Sequence, residues 1–416
     1  MSALGRGHVG VVAAAHCASA FAALGLPPYL GVLLPQLGDP AASWAGVLYV
    51  VPTLCTALSA SLWGRLADRV GPKPLLVRAQ LGLAAAFGLA AIAQDLPTLV
   101  AALVAQGVLG GTYSASTAYL ASGLEGERLS RALALMQGSA RTALVAAPVL
   151  AGLLSGLVDV RQMYGLAALL PLAAAAAMVR MPALGRAVRP RPATATAGEA
   201  VAGKVPQPSA ITVLGLCLAE AGFVLVTVST YPYFVPYVHH LAPGLPAWAP
   251  GVLFAAPHLA YLASAAIALR LLQGRARTGL GAAYGAAALS GLVHAVPALL
   301  PGQDALAWVI AGRALLGTAL ALGLPSLTLL ASEAAAHHRP GRLFGRVETG
   351  SKSGAVLAGL GASALAGAGP VLGAAPLAIP LAAGAVLAAS VRSLTASRAV
   401  PPPASSPVPA SERSLA

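Results

Sequence analysis

The sequence predicts an all-α membrane protein whose twelve transmembrane helices form two pseudo-symmetric bundles of six. Three observations carry this: a composition too apolar for a soluble domain, a regular alternation of charge-free runs with short charged loops, and a repeat of the first half in the second. Of 416 residues 58% are hydrophobic and only 9% charged, with mean hydropathy +0.80, whereas soluble domains carry about 25% charge. Runs nearly free of charge recur at 9–35, 44–63, 75–94, 98–122, 132–157, 163–179, 210–236, 248–272, 279–300, 305–332, 343–368 and 373–391. A helix of about 20 residues crosses the roughly 30 Å hydrocarbon core of a bilayer.

The repeat is legible residue by residue. WAGVLYVVP from Trp44 to Pro52 returns as WAPGVLFAAP from Trp248 to Pro257, and Pro28-Tyr29 returns as Pro232-Tyr233. Gly64-Arg65 matches Gly274-Arg275, Gly107 matches Gly317, and Arg131 with Arg141 matches Arg342 with Lys352. The separation stays between 204 and 211 residues, the mark of a duplication.

In chain order, Arg6 precedes a first apolar run without a short hydrophobic region and processing site, so this run is expected to stay as the first helix. Between the second and third runs lies Gly64–Lys73, GRLADRVGPK, which reads as a hairpin whose glycines, Gly64 and Gly71, permit the reversal. Pro148, Pro232, Pro257 and Pro325 fall within runs, which membrane helices tolerate when neighbours take up the freed backbone groups. Residues 181–208 are polar and rich in Pro, Ala and Thr, a linker between a first bundle at 1–180 and a second at 209–394, and 395–416 lacks any core-forming pattern. Bases concentrate at Arg6, Arg65 to Arg78, Arg128, Arg131, the linker, Arg270 to Arg277, Arg339 to Arg346 and the tail, all on one side. The opposite loops hold Asp39, Asp95, Asp159, Asp304 and a single base, Arg161. Both termini are therefore expected in the cytoplasm.

The net charge of +13 is dealt out between spans and not gathered on a soluble face, which excludes nucleic-acid binding as the expected role. Cys17, Cys55 and Cys217 all lie in apolar runs, implying neither disulfide nor metal site. No phosphate-binding loop, HExxH or Ser-His-Asp grouping suggests an enzyme.

A charge near mid-bilayer costs at least about 2.5–3.5 kcal/mol on insertion scales, so each one requires a reason. Glu220 and His16 occupy equivalent places in the two halves, each twelve residues before its Pro-Tyr pair. Glu220, Phe223, Thr227 and Tyr231 share one helical face, and Gln106, Tyr113 and Thr117 form a second polar stripe. Interhelical hydrogen bonding would account for most of these hydroxyls. Glu220 has to stay protonated or find a cation, for which Arg141, Arg313 and Lys352 are available. Glu348 and Lys352 stand at i and i+4 and can satisfy each other. A buried carboxyl that binds a proton on one side and releases it when a base or solute approaches would couple two fluxes; Glu220 is the candidate carboxyl, His16 a second titratable group and Arg313 a basic partner in that coupling.

Over nearly its whole length the chain resembles the major facilitator superfamily. Gly64, Leu66, Asp68, Arg69, Gly71 and Lys73 match that family's loop motif, with Pro72 in place of a base, while the later GRARTGLG has Thr278 where the aspartate would stand. The resemblance implies a gating role for Asp68, Arg69 and Lys73 at a helix N-terminus, against the simpler pairing of Asp68 with Arg65 or Arg69. Ala143, Ala147-Pro148 and Ala151-Gly152 resemble the small-residue motif of the family's antiporters, implying export. The family's arginine in the fourth helix would fall at Leu103, and its repeat counterpart is Arg313. The expectation is a proton-driven exporter of a drug or a polar or anionic metabolite such as a siderophore, working as a monomer without cofactor in a bacterial-type inner membrane. Its cavity would be lined by Gln106, Tyr113, Thr117, Arg141, Thr227, Tyr231, Lys352 and Glu348. A proton-coupled nutrient importer and a non-transporting membrane sensor are the alternatives.

Overall fold

The computed structural model describes residues 4–124, 126–184, 212–300, 304–335 and 340–366, all of which are helices or their connections. The first half comprises α1 (Arg6–Gly25), α2 (Leu30–Leu33) between two 3-10 turns, α3 (Ala45–Val70), α4 (Pro72–Ala91), α5 (Leu96–Leu109), α6 (Thr112–Gly123), α7 (Gly126–Leu154) and α8 (Val160–Val179). The second comprises α9 (Val213–Val228), α10 (Phe234–Leu241), α11 (Ala249–Leu271), α12 (Ala276–Leu299), α13 (Ala305–Ala335) and α14 (Pro340–Ala366). The expected twelfth span, most of the linker and the tail lie outside the described residues.

Three expected spans are broken, each for a reason the residues supply. The first stops at Gly25 because Pro27 and Pro28 lack the N–H that would continue it. The fourth breaks at Gly110-Gly111, with Gly111 at φ 78°. The seventh breaks before Tyr233, where Pro232 intervenes. The hairpin is also tighter than expected. Gly64 lies inside α3, which continues to Val70, and the reversal rests on Gly71 alone at φ 88°. In the second half Gly274, at φ 71°, makes the corresponding turn into α12. The structural partner of Gly274 is thus Gly71 and not Gly64, because of these three glycines Gly71 and Gly274 have the positive φ that a side chain resists, while Gly64 is helical.

Helix ends in the base-poor loops are capped by polar side chains. Asp159 and Gln162 form a reciprocal box at the start of α8, and Asp95 accepts from Thr98 N at 2.8 Å at the start of α5. The hydrogen bonds from Thr98 hold the Asp95 carboxyl below its ordinary range.

The duplication is visible in the packing. Gly107 lies against Pro52, where an added Cβ would fall 2.5 Å from the proline carbonyl oxygen, and Gly317 lies against Pro257. At the base-poor end Gly46 and Gly359 bring α3 against α14, while Gly251 and Gly152 bring α11 against α7. A Cβ at Gly46 would come within 2.2 Å of Gly359 O, and one at Gly251 within 2.1 Å of Pro148 O. The two repeated tyrosines fasten these crossings. Tyr29 donates to Pro148 O at 2.7 Å, and Tyr233 lies 3.2 Å from both Gly46 N and Ser43 O.

The apolar core differs between the two ends of the bundle. One cluster built on Leu30, Phe87, Leu103 and Tyr164 also takes in Tyr233, Val235 and Ala362 from the other half, and a second joins Leu144 to Phe234 and Phe254. Toward the base-rich end each half keeps its own cluster, one around Tyr119 and Met136, the other around Tyr284 and Leu330. Among the described residues, the halves are therefore closed against each other at the base-poor end and share no such core at the other.

Candidate functional site

Above that closure, between the halves, lies a cavity of about 210 Å³. From the first half it takes Leu48, Tyr49 and Pro52 of α3, Leu103 and Gln106 of α5, and Arg141 and Leu144 of α7. From the second come Glu220, Phe223, Thr227 and Tyr231, with Leu320 of α13 and Ser351 of α14. The helical face read along the seventh span thus sits as a unit on the cavity wall.

Glu220 and Arg141 face this space from opposite halves. Arg141, Glu348 and the Ser351 hydroxyl are the neighbours that act on the Glu220 carboxyl. Glu220 forms no direct ion pair among the described residues, and the Arg141 guanidinium lies 5.7 Å from the centre of the Tyr261 ring. An acid and a base share a small, mostly apolar chamber without neutralising each other by contact. Such a chamber strengthens electrostatic interactions, so a proton or charged solute entering it shifts the balance of both.

Not every residue on the expected polar stripes reaches this place. Gln106 does, but Tyr113 and Thr117 do not line the cavity, because the stripe assumed one continuous helix and Gly110-Gly111 breaks it. Thr117 bonds to Ser114 O in its own helix. His16, 4% exposed, packs 5.4 Å from the Tyr113 ring with Nδ1 unpartnered and lies off the cavity wall. Lys352 and Glu348 form the anticipated pair at 3.3 Å, both more than half exposed. The Asp68 side chain lies outside the described residues. Of the other hairpin residues, Lys73 donates to Val179 O and Met181 O at the end of α8.

Arg313 is fully enclosed, 2% exposed, and also lies off the cavity wall. Its Nε donates to Leu253 O at 2.8 Å, its Nη2 donates to Phe254 O, and its guanidinium stacks 4.2 Å from the Phe234 ring centre. Leu253 O is the acceptor that residue 257 would serve in an unbroken helix, and residue 257 is proline. Arg313 therefore supplies the donor that Pro257 lacks. In the first half Pro52 occurs without an arginine, and Leu103 stands on the cavity wall beside it.

Sequence reading overlooked His258 and His294, both 1% exposed. His258 Nε2 is 2.7 Å from the Tyr231 hydroxyl, which places a second polar layer directly behind the cavity wall. His294 Nδ1 is 2.7 Å from Ser290 O in its own helix, and its carbonyl accepts from Tyr237. The available signal for His258 was its place one residue after Pro257 in the repeated segment.

The Major Facilitator Superfamily model matches residues 12–301. Among curated relatives, the multidrug resistance protein MdtG of Dickeya zeae (strain Ech586) is 30% identical over 141 residues, 33% of this chain and 35% of that protein. The staphyloferrin B transporter of Staphylococcus aureus (strain NCTC 8325 / PS 47) is 28% identical over 109 residues, 26% of each. The match spans about a third or less of these relatives. A crystal structure of peptide transporter POT in complex with sulfate superposes with TM-score 0.71 at 14% identity, covering 95% of this chain and 97% of that one, a likeness of fold alone.

Proposed function

Because the chain belongs to the major facilitator superfamily and is a multi-pass membrane transport protein, we propose that it exports a small molecule in exchange for protons by alternating access around the Glu220–Arg141 cavity. The observation that carries this reading is the shared chamber itself, to which one half contributes an acid and the other a base, closed at the base-poor end by apolar clusters common to both halves. Ligand sites in repeat-built transporters lie at the interface of the repeats, and transport is the rocking of one half against the other. Glu220 binds the proton. Arg141 favours a cargo that carries a carboxylate, a zwitterion or several hydroxyls over a lipophilic cation. The names of the relatives, multidrug resistance protein and staphyloferrin B transporter, fit both a drug and a siderophore as cargo. The bundles span 1–180 and 209–394, joined by a cytoplasmic linker at 181–208 and followed by a cytoplasmic tail at 395–416. The protein acts as a monomer in the inner membrane with both termini inside.

The test uses inverted vesicles offered tetracycline, a carboxylate siderophore and ethidium, with and without an inside-acid gradient. The reading predicts gradient-dependent uptake of a zwitterionic or anionic probe. Accumulation by whole cells driven inward by protons would establish import, and binding with no flux of any probe would point to a sensor.

A further inference from the structure

On the outer flank of the first half, away from the central cavity, an open groove of about 770 Å³ runs between α4, the end of α5 and the end of α8. Its lining is apolar except for two bases: Pro74, Val77, Leu81, Leu109 and Val179 surround Lys73 and Arg78. Leu81 is 48% and Val179 58% exposed. In a membrane-spanning bundle such a flank faces lipid tails, which makes the bases its unusual feature.

Both bases stand near the base-rich end, Lys73 as the second residue of α4 and Arg78 five residues deeper, about 7.5 Å along the axis. Among the described residues their hydrogen bonds go to backbone carbonyls alone. Lys73 Nζ donates to Val179 O at 2.8 Å and Met181 O at 2.6 Å. Arg78 donates to Leu109 O at 2.7 Å and Gly110 O at 3.4 Å, capping the broken end of α5, with its guanidinium 3.5 Å from the centre of a Trp63 ring. No described carboxylate pairs with either. A lysine ammonium has three donors, and two are engaged here. Carbonyls satisfy donors without cancelling the net charge, so two positive charges remain at interfacial depth beside an apolar channel.

We propose that this groove binds an anionic phospholipid, its phosphate beside Lys73 and Arg78 and an acyl chain along Val77, Leu81 and Leu109. Charge complementarity at the headgroup and apolar lining below it match the two ends of that one molecule, as in basic pockets between membrane helices generally. The inference does not rest on the cargo or its direction of transport.

The full-length protein, purified in a neutral detergent, is incubated with equal amounts of phosphatidylglycerol and phosphatidylcholine, and retained lipid is counted by native mass spectrometry. The expected result is preferential retention of one phosphatidylglycerol. Lys73→Gln should weaken it about fivefold, the effect of one interfacial base. Leu81→Trp, which fills the groove without removing charge or a carbonyl contact, should reduce retention while melting stays near that of the parent. Equal retention of the two lipids, or phosphatidylglycerol retention unchanged in Leu81→Trp, would overturn the proposal. So would stabilisation by inorganic phosphate equal to that by the lipid, since the groove would then be a simple anion site.

Discussion

Glu220→Gln is expected to abolish proton-driven accumulation while leaving exchange of cargo for cargo intact. A pH difference of one unit stores about 1.4 kcal/mol per proton, enough for a concentration ratio of about ten at one proton per cargo. Glutamine keeps the size and hydrogen-bonding capacity of a protonated glutamate and removes only its titration. Uptake into vesicles under a one-unit gradient should therefore fall from about tenfold to no accumulation, whereas counterflow with labelled cargo should persist. Arg141→Gln should instead weaken cargo binding and slow both assays, because the base faces the same chamber from the other half. Retained gradient-driven accumulation in Glu220→Gln would remove the carboxyl from the coupling step.

The second large effect concerns Arg313. Removing it has opposing consequences: an enclosed charge is relieved, and the Leu253 carbonyl loses the donor that stands in for Pro257. A single substitution cannot separate these, but a double-mutant cycle can. Pro257→Ala restores the backbone N–H, so Arg313→Met should cost about 1–3 kcal/mol less stability in that background than in the native one, the cost of an unsatisfied buried acceptor. Thermal unfolding of the four proteins in one detergent gives the coupling. A cycle that closes at zero would show that the arginine does not serve this carbonyl, and would return it to the proton pathway suggested by its place in the repeat.

What could be read from the sequence follows from which forces leave a linear trace. The spans, the duplication and the face Glu220–Phe223–Thr227–Tyr231 were legible because hydrophobic length and helical spacing are local properties. The roles of Arg313, Arg78 and His258 were not. Each depends on how its helix is rotated against a neighbour, and a membrane helix is apolar toward lipid as well as toward protein, so its pattern does not reveal which side faces which. Arg313 was conspicuous as a charge, yet its partner is a carbonyl on another helix, freed by a proline about sixty residues earlier. The broken fourth span shows the converse. Gly110-Gly111 was written in the sequence, but reading the surrounding apolar run as one helix carried the polar stripe past the break to Tyr113 and Thr117.

The closed end offers the most direct test of alternating access. Ser363 Oγ lies 2.9 Å from both Val47 N and Ser43 O, on opposite halves at the base-poor end. In a background with Cys17, Cys55 and Cys217 replaced by alanine, Ser43→Cys with Ser363→Cys is oxidised and cargo transport is measured before and after reduction. The account predicts that the cross-link forms, that transport stops while it is intact, and that reduction restores it. Undiminished transport through a fully cross-linked protein would contradict a cycle in which this end must open.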